Sequence, residues 1–314
     1  MAGLISIVFS FRNEQEVLEE LIRQTTAVLE REPEDYELIF VNDDSTDGSL
    51  ELLKQARTTN PRIKIVNMSR RFGVSECTLA GMAQASGDAV IYMDTDLQDP
   101  PAVIPALLEK WREGADVVHT VRTARQGEHP LKMLATKVGY WLISIGSIVR
   151  LTTNAGDFKL LSRRAVRHLL SLRETDPYLR GLVVWIGFVQ VTVDYVREPR
   201  AGGIAHFPLF SKNPWKTFVS GLTSFSFLPI YLILAAGLAG LAASGALLVL
   251  GALLLLIDRA GAVYWLVTLG IWLWSILMLG QGALGLYVIR IYKDVRGRPA
   301  FIIKDAIGFE RKPA

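Results

Sequence analysis

The sequence predicts an α/β fold: a mostly parallel sheet with helices on both faces, followed by a C-terminal two-helix transmembrane hairpin. Three observations carry this. Short β-type runs alternate with amphipathic helical stretches through the first half, which is how a helix-covered parallel sheet is written. Half of the residues are hydrophobic while 21% are charged, and the mean hydropathy is +0.29, so a polar part and a very apolar part share one chain. From Thr217 to Ile257 and again from Ala260 to Ile289 there is no Asp, Glu, Lys, Arg or His, the pattern of two membrane spans.

Leu4 to Phe11, Tyr36 to Asn42, Ile63 to Asn67, Ala89 to Met93 and Asp116 to Val121 read as strands. Glu16 to Glu30, Leu50 to Thr58, Ser75 to Ala85 and Ala102 to Arg112 read as the helices between them. Residues 1–205 form the α/β domain. Within it, 131–150 carries an apolar stripe at Leu131, Leu134, Val138, Trp141, Leu142, Ile145 and Val149. That stripe fits a helix lying in the membrane interface, or one packed on the core.

Residues 206–228 form a juxtamembrane segment and 229–257 the first span. At about 29 residues, roughly 44 Å as a helix, it exceeds a hydrocarbon core of about 30 Å. The second span is 262–290, and the short intervening loop makes a helical hairpin whose flanks share one side; the alternative is two helices buried in a soluble core. Lys212, Lys216, Arg290, Lys293, Arg296 and Arg298 crowd that side. The positive-inside rule then puts the α/β domain and a tail at 291–314 in the cytoplasm, anchored in the plasma (inner) membrane. The N-terminus lacks the basic flank and cleavage site of a signal peptide. Cys77 is the sole cysteine, so no internal disulfide forms. A net charge of +3 does not match a nucleic-acid binder.

Ligands of such sheets sit at the carboxyl ends of the strands. Those ends are polar here: Arg12-Asn13-Glu14, Asp43-Asp44-Ser45, Ser69-Arg70, Asp94-Thr95-Asp96 and Arg122. Asp94 and Asp96, two apart at the end of an apolar strand, aim toward one side. Two carboxylates held that close call for a cation. Hard oxygen ligands suit Mg²⁺ or Mn²⁺, with Gln98 a further oxygen, and such an ion bridging a diphosphate would offset charge growing on a leaving nucleotide. For Asp43 and Asp44 two readings stand together, a helix N-cap and recognition of a nucleotide base and ribose, with Asp47 capping and Asp43 binding.

Several runs taken in order go further. Ser6-Ile7-Val8 leading to Asn13-Glu14, Val41 to Ser49, Asn67 to Gly73, Asp94 to Pro101, Asn154 to Phe158, Arg197 to Arg200, Phe225 to Pro229 and Arg298-Pro299 closely resemble the family 2 inverting glycosyltransferases of GT-A (Rossmann-like) fold. The nearest group is the polyprenyl-phosphate glycosyltransferases, which include dolichyl-phosphate mannose synthase and bactoprenol glucosyltransferases. The resemblance spans essentially the whole chain. It implies a donor site of Asn13, Glu14, Asp43, Asp44, Ser69, Arg70, Asp94 and Arg122, with Asp43 at the base or ribose and Arg122 near the phosphates.

It further implies a metal set of Asp94, Asp96 and Gln98, and Arg200 opening a segment that reaches over the phosphates. Asp157, Lys159, Arg200 and His206 would meet the acceptor. Catalysis would fall to Asp157, Asp96, Arg122 and Arg200. His206 stands where Lys is usual, and Lys159 where Arg is common. The partners implied are a nucleotide-sugar, UDP-glucose first with GDP-mannose or UDP-N-acetylhexosamine behind it, a polyprenyl phosphate, the lipid bilayer, and further copies of the chain in a homo-oligomer, a tetramer among relatives. A processive synthase would carry Gln-x-x-Arg-Trp and more spans, neither of which is present. A non-catalytic scaffold has no use for clustered carboxylates. At neutral pH a phosphate monoester is largely a dianion, already nucleophilic, so Asp157 is expected to position the acceptor rather than act as a strong base.

Overall fold

The computed structural model describes residues 3–125, 155–172, 174, 176–197, 235, 239–240, 246 and 259–309. The chain divides into two units, one of residues 1–137, 149–215 and 299–314, the other of 138–148 and 216–298. The interfacial helix expected at 131–150 lies outside the described residues, as do nearly all of 198–258 and, with them, Arg200 and His206.

The first unit is built on eight strands: β1 (Leu4–Phe11), β2 (Asp35–Asn42), β3 (Ile63–Met68), β4 (Ala89–Asp94), β5 (Val117–Arg125), β6 (Ala155–Ser162), β7 (Gln190–Arg197) and β8 (Ile303–Ile307). They form one sheet in the order β7-β5-β6-β4-β1-β2-β3-β8. β1–β2, β1–β4, β2–β3 and β5–β7 run parallel. β4–β6, β5–β6 and β3–β8 run antiparallel. The helices are α1 (Gln15–Leu29), α2 (Ser49–Thr59), α3 (Val74–Gln84), α4 (Ile104–Arg112), α5 (Arg163–Ser171) and α6 (Leu179–Trp185). The first five strands and first four helices thus fall within a few residues of their sequence-based bounds. β6, β7 and β8 are additions, and β8 comes from the segment expected to be a free tail.

The central strands are buried on both faces, so they read as continuous apolar runs; LISIVFSF in β1 is the example. On one face Ile7, Phe9, Phe40, Ile65, Ile91, Met93 and Phe158 meet Leu18, Leu21, Leu107 and Leu108 of the helices. Phe9 and Phe40 stack at 4.8 Å between centroids. On the other face α3 crosses β1 and β2 at Gly81, where a Cβ would collide with Val8 and come within 2.9 Å of Val41 Cγ2. Any larger residue there lifts the helix from the sheet. Ser162 ends β6 and caps α5, its Oγ accepting from Ala165 N at 3.2 Å.

In the second unit, α7 (Arg259–Val295) contains an apolar stretch, Trp265–Val295, long and apolar enough to cross a membrane. It covers the expected second span. Large apolar side chains such as Trp274, Leu277 and Leu279 stand exposed along it. Of the first expected span, Ala235, Ala239, Gly240 and Ala246 are described, and all four are helical. A Cβ on Gly240 would come within 2.9 Å of Ile276 Cδ1 and 3.1 Å of Trp272 Cη2, the close approach that small residues permit between apolar helices.

Candidate active site

The polar strand ends form two adjoining regions. The first is a cradle at the ends of β1, β2 and β3. Asn13, at φ 57, donates its backbone N–H to Ser45 Oγ at 3.1 Å and accepts from Thr46 N at 2.8 Å through Oδ1. Asn42 Oδ1 accepts from Ser45 N at 2.9 Å. Asp43 is buried; its N–H donates to Phe11 O at 3.0 Å and its Oδ1 accepts from Phe72 N at 2.7 Å. Asp43 therefore ties the turn after β2 to the turn after β3.

Asp44 sits at φ 59 and is exposed, as are Ser69 and Arg70. The Arg70 guanidinium lies 3.9 Å from the Phe72 ring centroid. Glu14 is buried, its N–H donating to Ser49 Oγ at 3.1 Å. The N-cap of α2 is Gly48, with no side-chain cap; Asp47 beside it accepts from Ser49 N at 3.1 Å and from Gln15 N at 3.3 Å. The cap position thus falls one residue later than the expected Asp47, on Gly48, and Asp47 instead links the turn before α2 to the start of α1.

The second region lies at the ends of β4, β5, β6 and β7. The antiparallel register pairs Tyr92 with Lys159; extending it by two residues brings Asp94 alongside Asp157. Burial, then the charges of Asp157, Asp96 and Asp99, push the Asp94 carboxyl up to about 8 against the pull of Arg122. Asp157 goes the opposite way. Burial would raise it, but Arg180 on α6 grips it with two hydrogen bonds, Nε to Oδ1 at 2.8 Å and Nη2 to Oδ2 at 2.5 Å. This fork and the Lys159 charge hold Asp157 at about 2. Lys159 is buried behind it, and burial lowers its ammonium to about 8.

Arg122 is fixed by Tyr195 and Asp99. Its Nε donates to Tyr195 Oη at 2.9 Å and its Nη2 reaches Asp99 Oδ2 at 3.4 Å, while the Tyr195 hydroxyl donates to Asp99 Oδ1. Arg197 adds a contact to Asp99 at 3.4 Å and one to Asp96 Oδ2 at 4.0 Å. The guanidinium of Arg122 lies over Gly156, where a Cβ would stand 2.5 Å from Nη2 and 2.9 Å from Cζ. Glycine is required there so long as Arg122 stays pinned.

Asp99, fully buried and engaged by Tyr195 and two arginines, is a structural anion. Asp94 accepts no hydrogen bond or ion pair among the described residues. Among the described residues Asp96 accepts only Gln98 N, at 3.2 Å, beyond the long contact to Arg197. Among the described residues no group of three or more His, Cys, Asp or Glu side chains is set to hold a metal. An Asp94–Asp96 pair still fits Mg²⁺ or Mn²⁺, because such ions take one or two carboxylates and draw remaining ligands from substrate phosphates and water. Burial first and then the neighbouring carboxylates raise Asp94's proton affinity, and a cation bound there would lower it.

Sequence reasoning missed Asp99, Arg180, Tyr195 and Arg197. Asp99 stood inside the quoted Asp94 to Pro101 run and Arg197 inside Arg197 to Arg200, so both had a signal. Arg180 and Tyr195 had none, since their roles depend on α6 and β7 lying beside β5 and β6.

The architecture is GT-A-like: an α/β fold on a mostly parallel sheet, with polar and acidic residues gathered at its strand ends. Residues 6–170 match the family described as glycosyl transferase family 2. The chain is 37% identical to an uncharacterized glycosyltransferase of Bacillus subtilis, YkcC, over 98% of this chain and 95% of that protein. It is 36% identical to an uncharacterized glycosyltransferase of Synechocystis sp., over 98% and 97%. It is 34% identical to a prophage-derived bactoprenol glucosyl transferase of Shigella flexneri, over 96% and 97%. The chain belongs to glycosyl transferase family 2.

Proposed function

We propose that the protein transfers a hexose from a nucleotide-sugar, UDP-glucose by preference, to a polyprenyl phosphate at the cytoplasmic face of the plasma membrane. The observation that carries this reading is the near full-length likeness to a bactoprenol glucosyl transferase. The crowded Asp94–Asp96–Asp157 cluster beside the strand-end cradle supports it, and the apolar α7 supports the membrane setting.

In this reading Asp43 and the turn around it receive the base and ribose, and Arg122 faces the phosphates. A divalent cation held by Asp94, Asp96 and Gln98 supplies charge neutralisation at the diphosphate. An oxygen of the lipid phosphate attacks the anomeric carbon as the bond to the nucleoside diphosphate breaks, with inversion. The acceptor is a dianion at neutral pH and no proton need move. Asp157 is then a poor base held at about 2, well suited to fixing the acceptor through Arg180 and its surroundings and ill suited to deprotonation.

The test uses the full chain in lipid nanodiscs with Mg²⁺, undecaprenyl phosphate and, separately, UDP-glucose, GDP-mannose and UDP-N-acetylglucosamine, with mass spectrometry of the lipid. A hexosyl-phosphoryl lipid from UDP-glucose is expected. Product from another donor alone would replace the sugar assignment; no nucleotide release from any donor would favour a lipid-binding scaffold.

A further inference from the structure

The segment after the apolar helix returns to the sheet as β8, antiparallel to β3, with Asn67 paired to Asp305 in the register. Three side chains there make a continuous line. Asn67 Nδ2 donates to Asp305 Oδ1 at 2.7 Å, Asn42 Nδ2 donates to Asn67 Oδ1 at 3.0 Å, and Asn42 Oδ1 accepts from Ser45 N at 2.9 Å. Asn42 and Asn67 are buried.

The direction of this line is not free. An ionised carboxylate only accepts, so Asn67 must turn its NH₂ toward Asp305 and its oxygen toward Asn42. Asn42 must then offer NH₂ to Asn67, which leaves its oxygen for the Ser45 amide. Without the acceptor at 305 the orientation is held from one end only, by the Ser45 N–H that requires Asn42 Oδ1, and the Asn67 NH₂ loses its partner.

We infer that Asp305 is a positioning residue for nucleotide binding, setting from the chain's C-terminal strand the polarity of the Asn67–Asn42 relay that shapes the Asp43–Ser45 turn. The inference rests on the reading of that turn as the base and ribose site. β8 has anchors that do not involve this carboxylate: its ladder to β3, the Ser69 N–H donating to Ile302 O at 3.0 Å, and Lys64 lying 5.2 Å from the Phe309 ring centroid. Removing the Asp305 side chain therefore cuts the relay and leaves the strand.

The experiment compares full-length wild type with Asp305→Ala, Asp305→Asn, Asn67→Ala and the Asp305→Ala/Asn67→Ala double variant, in detergent. UDP affinity and the donor KM and kcat are measured. Losing a charge-assisted bond that orders the turn should raise the UDP Kd and donor KM about tenfold with kcat within about twofold. Asp305→Asn should recover most of the loss, because its amide oxygen can take the same role. Asn67→Ala should match Asp305→Ala, and the double variant should be no worse than either.

Unchanged UDP affinity in a folded Asp305→Ala, additive losses in the double variant, or a fall in kcat with KM unmoved would each overturn the relay. If Asp305→Ala fails to fold, Asn67→Ala reads the same line from its middle. Asp43→Ala separates the two levels: if it too leaves UDP binding intact, the nucleotide reading of the turn falls, and if it weakens binding while Asp305→Ala does not, the relay alone falls.

Discussion

The two regions of the strand-end surface differ in how completely their polar groups are satisfied. In the cradle, Asn13, Asn42, Asp43, Asn67 and Asp305 are joined to each other and to backbone amides by bonds of 2.7–3.1 Å. Next to it, Asp94 has no hydrogen bond or ion pair among the described residues, only the more distant charge of Arg122. Across β4, β6 and β5 behind it, the Tyr92 hydroxyl and His119 Nδ1 are buried without a hydrogen-bond partner. Among the described residues of the cradle, Arg12 Nε is likewise buried without a hydrogen-bond partner. Buried polar groups are ordinarily paired, and leaving them unpaired costs stability. The comparison teaches that the cradle's turns are held by their own hydrogen bonds, while in the acidic region Asp157 and Asp99 are paired and Asp94 is left crowded by like charges.

The largest break in this contrast is at Asp96. Asp96→Ala should lower kcat by about 1,000-fold or more at saturating donor, since it removes charge stabilisation made at the leaving group. Wild-type turnover in that variant would remove the metal assignment. Next is the fork at Asp157. Arg180→Ala strands a largely buried carboxylate, and chemical denaturation should show a loss of about 1–3 kcal/mol. Adding Asp157→Asn should return part of that stability without returning activity; no recovery would mean that the pair does not hold the region together.

Gly156→Ala forces a methyl group against the Arg122 guanidinium. A loss in kcat/KM of about 10–100-fold is expected from displacing Arg122 from Tyr195 and Asp99, and steady-state kinetics reads it directly. Smallest is a pH effect. Burial first, then the Lys159 charge, lowers His119 from 6.5 to about 4, so the fold favours the neutral ring. Its contribution is complete above pH 6.5 and is lost as pH falls toward 4. The ceiling is about 3 kcal/mol, at about 1.4 kcal/mol per tenfold in proton affinity. His119→Gln should flatten that part of the stability profile, and an unchanged slope would place the titration elsewhere.

Much of the cradle was legible because its signals are local. Apolar runs ending in Asn13, Asp43 and Ser69 fix both the strands and the residues at their ends. The Asp94–Asp96 pair was legible for the same reason. Asp157 was legible only through family resemblance, since its place beside Asp94 depends on β6 inserting antiparallel between β4 and β5. β7 carries the alternation Val191, Val193, Tyr195 and could have been found by period-two reading. β8 could not: a five-residue edge strand whose Asp305 bonds Asn67 from 238 positions away owes its state to tertiary pairing, not to local pattern. A charged segment after a membrane span reads as a tail until the sheet edge it completes is known.

The central claim is that the Asp94–Asp96 end holds a nucleotide diphosphate through a divalent cation. Calorimetric titration of UDP into the full-length protein, with Mn²⁺ and with EDTA, tests it most directly when repeated on Asp96→Asn. The account predicts binding that requires Mn²⁺ in the wild type and is lost in Asp96→Asn; UDP binding of equal strength in EDTA, or undiminished in Asp96→Asn, would contradict it.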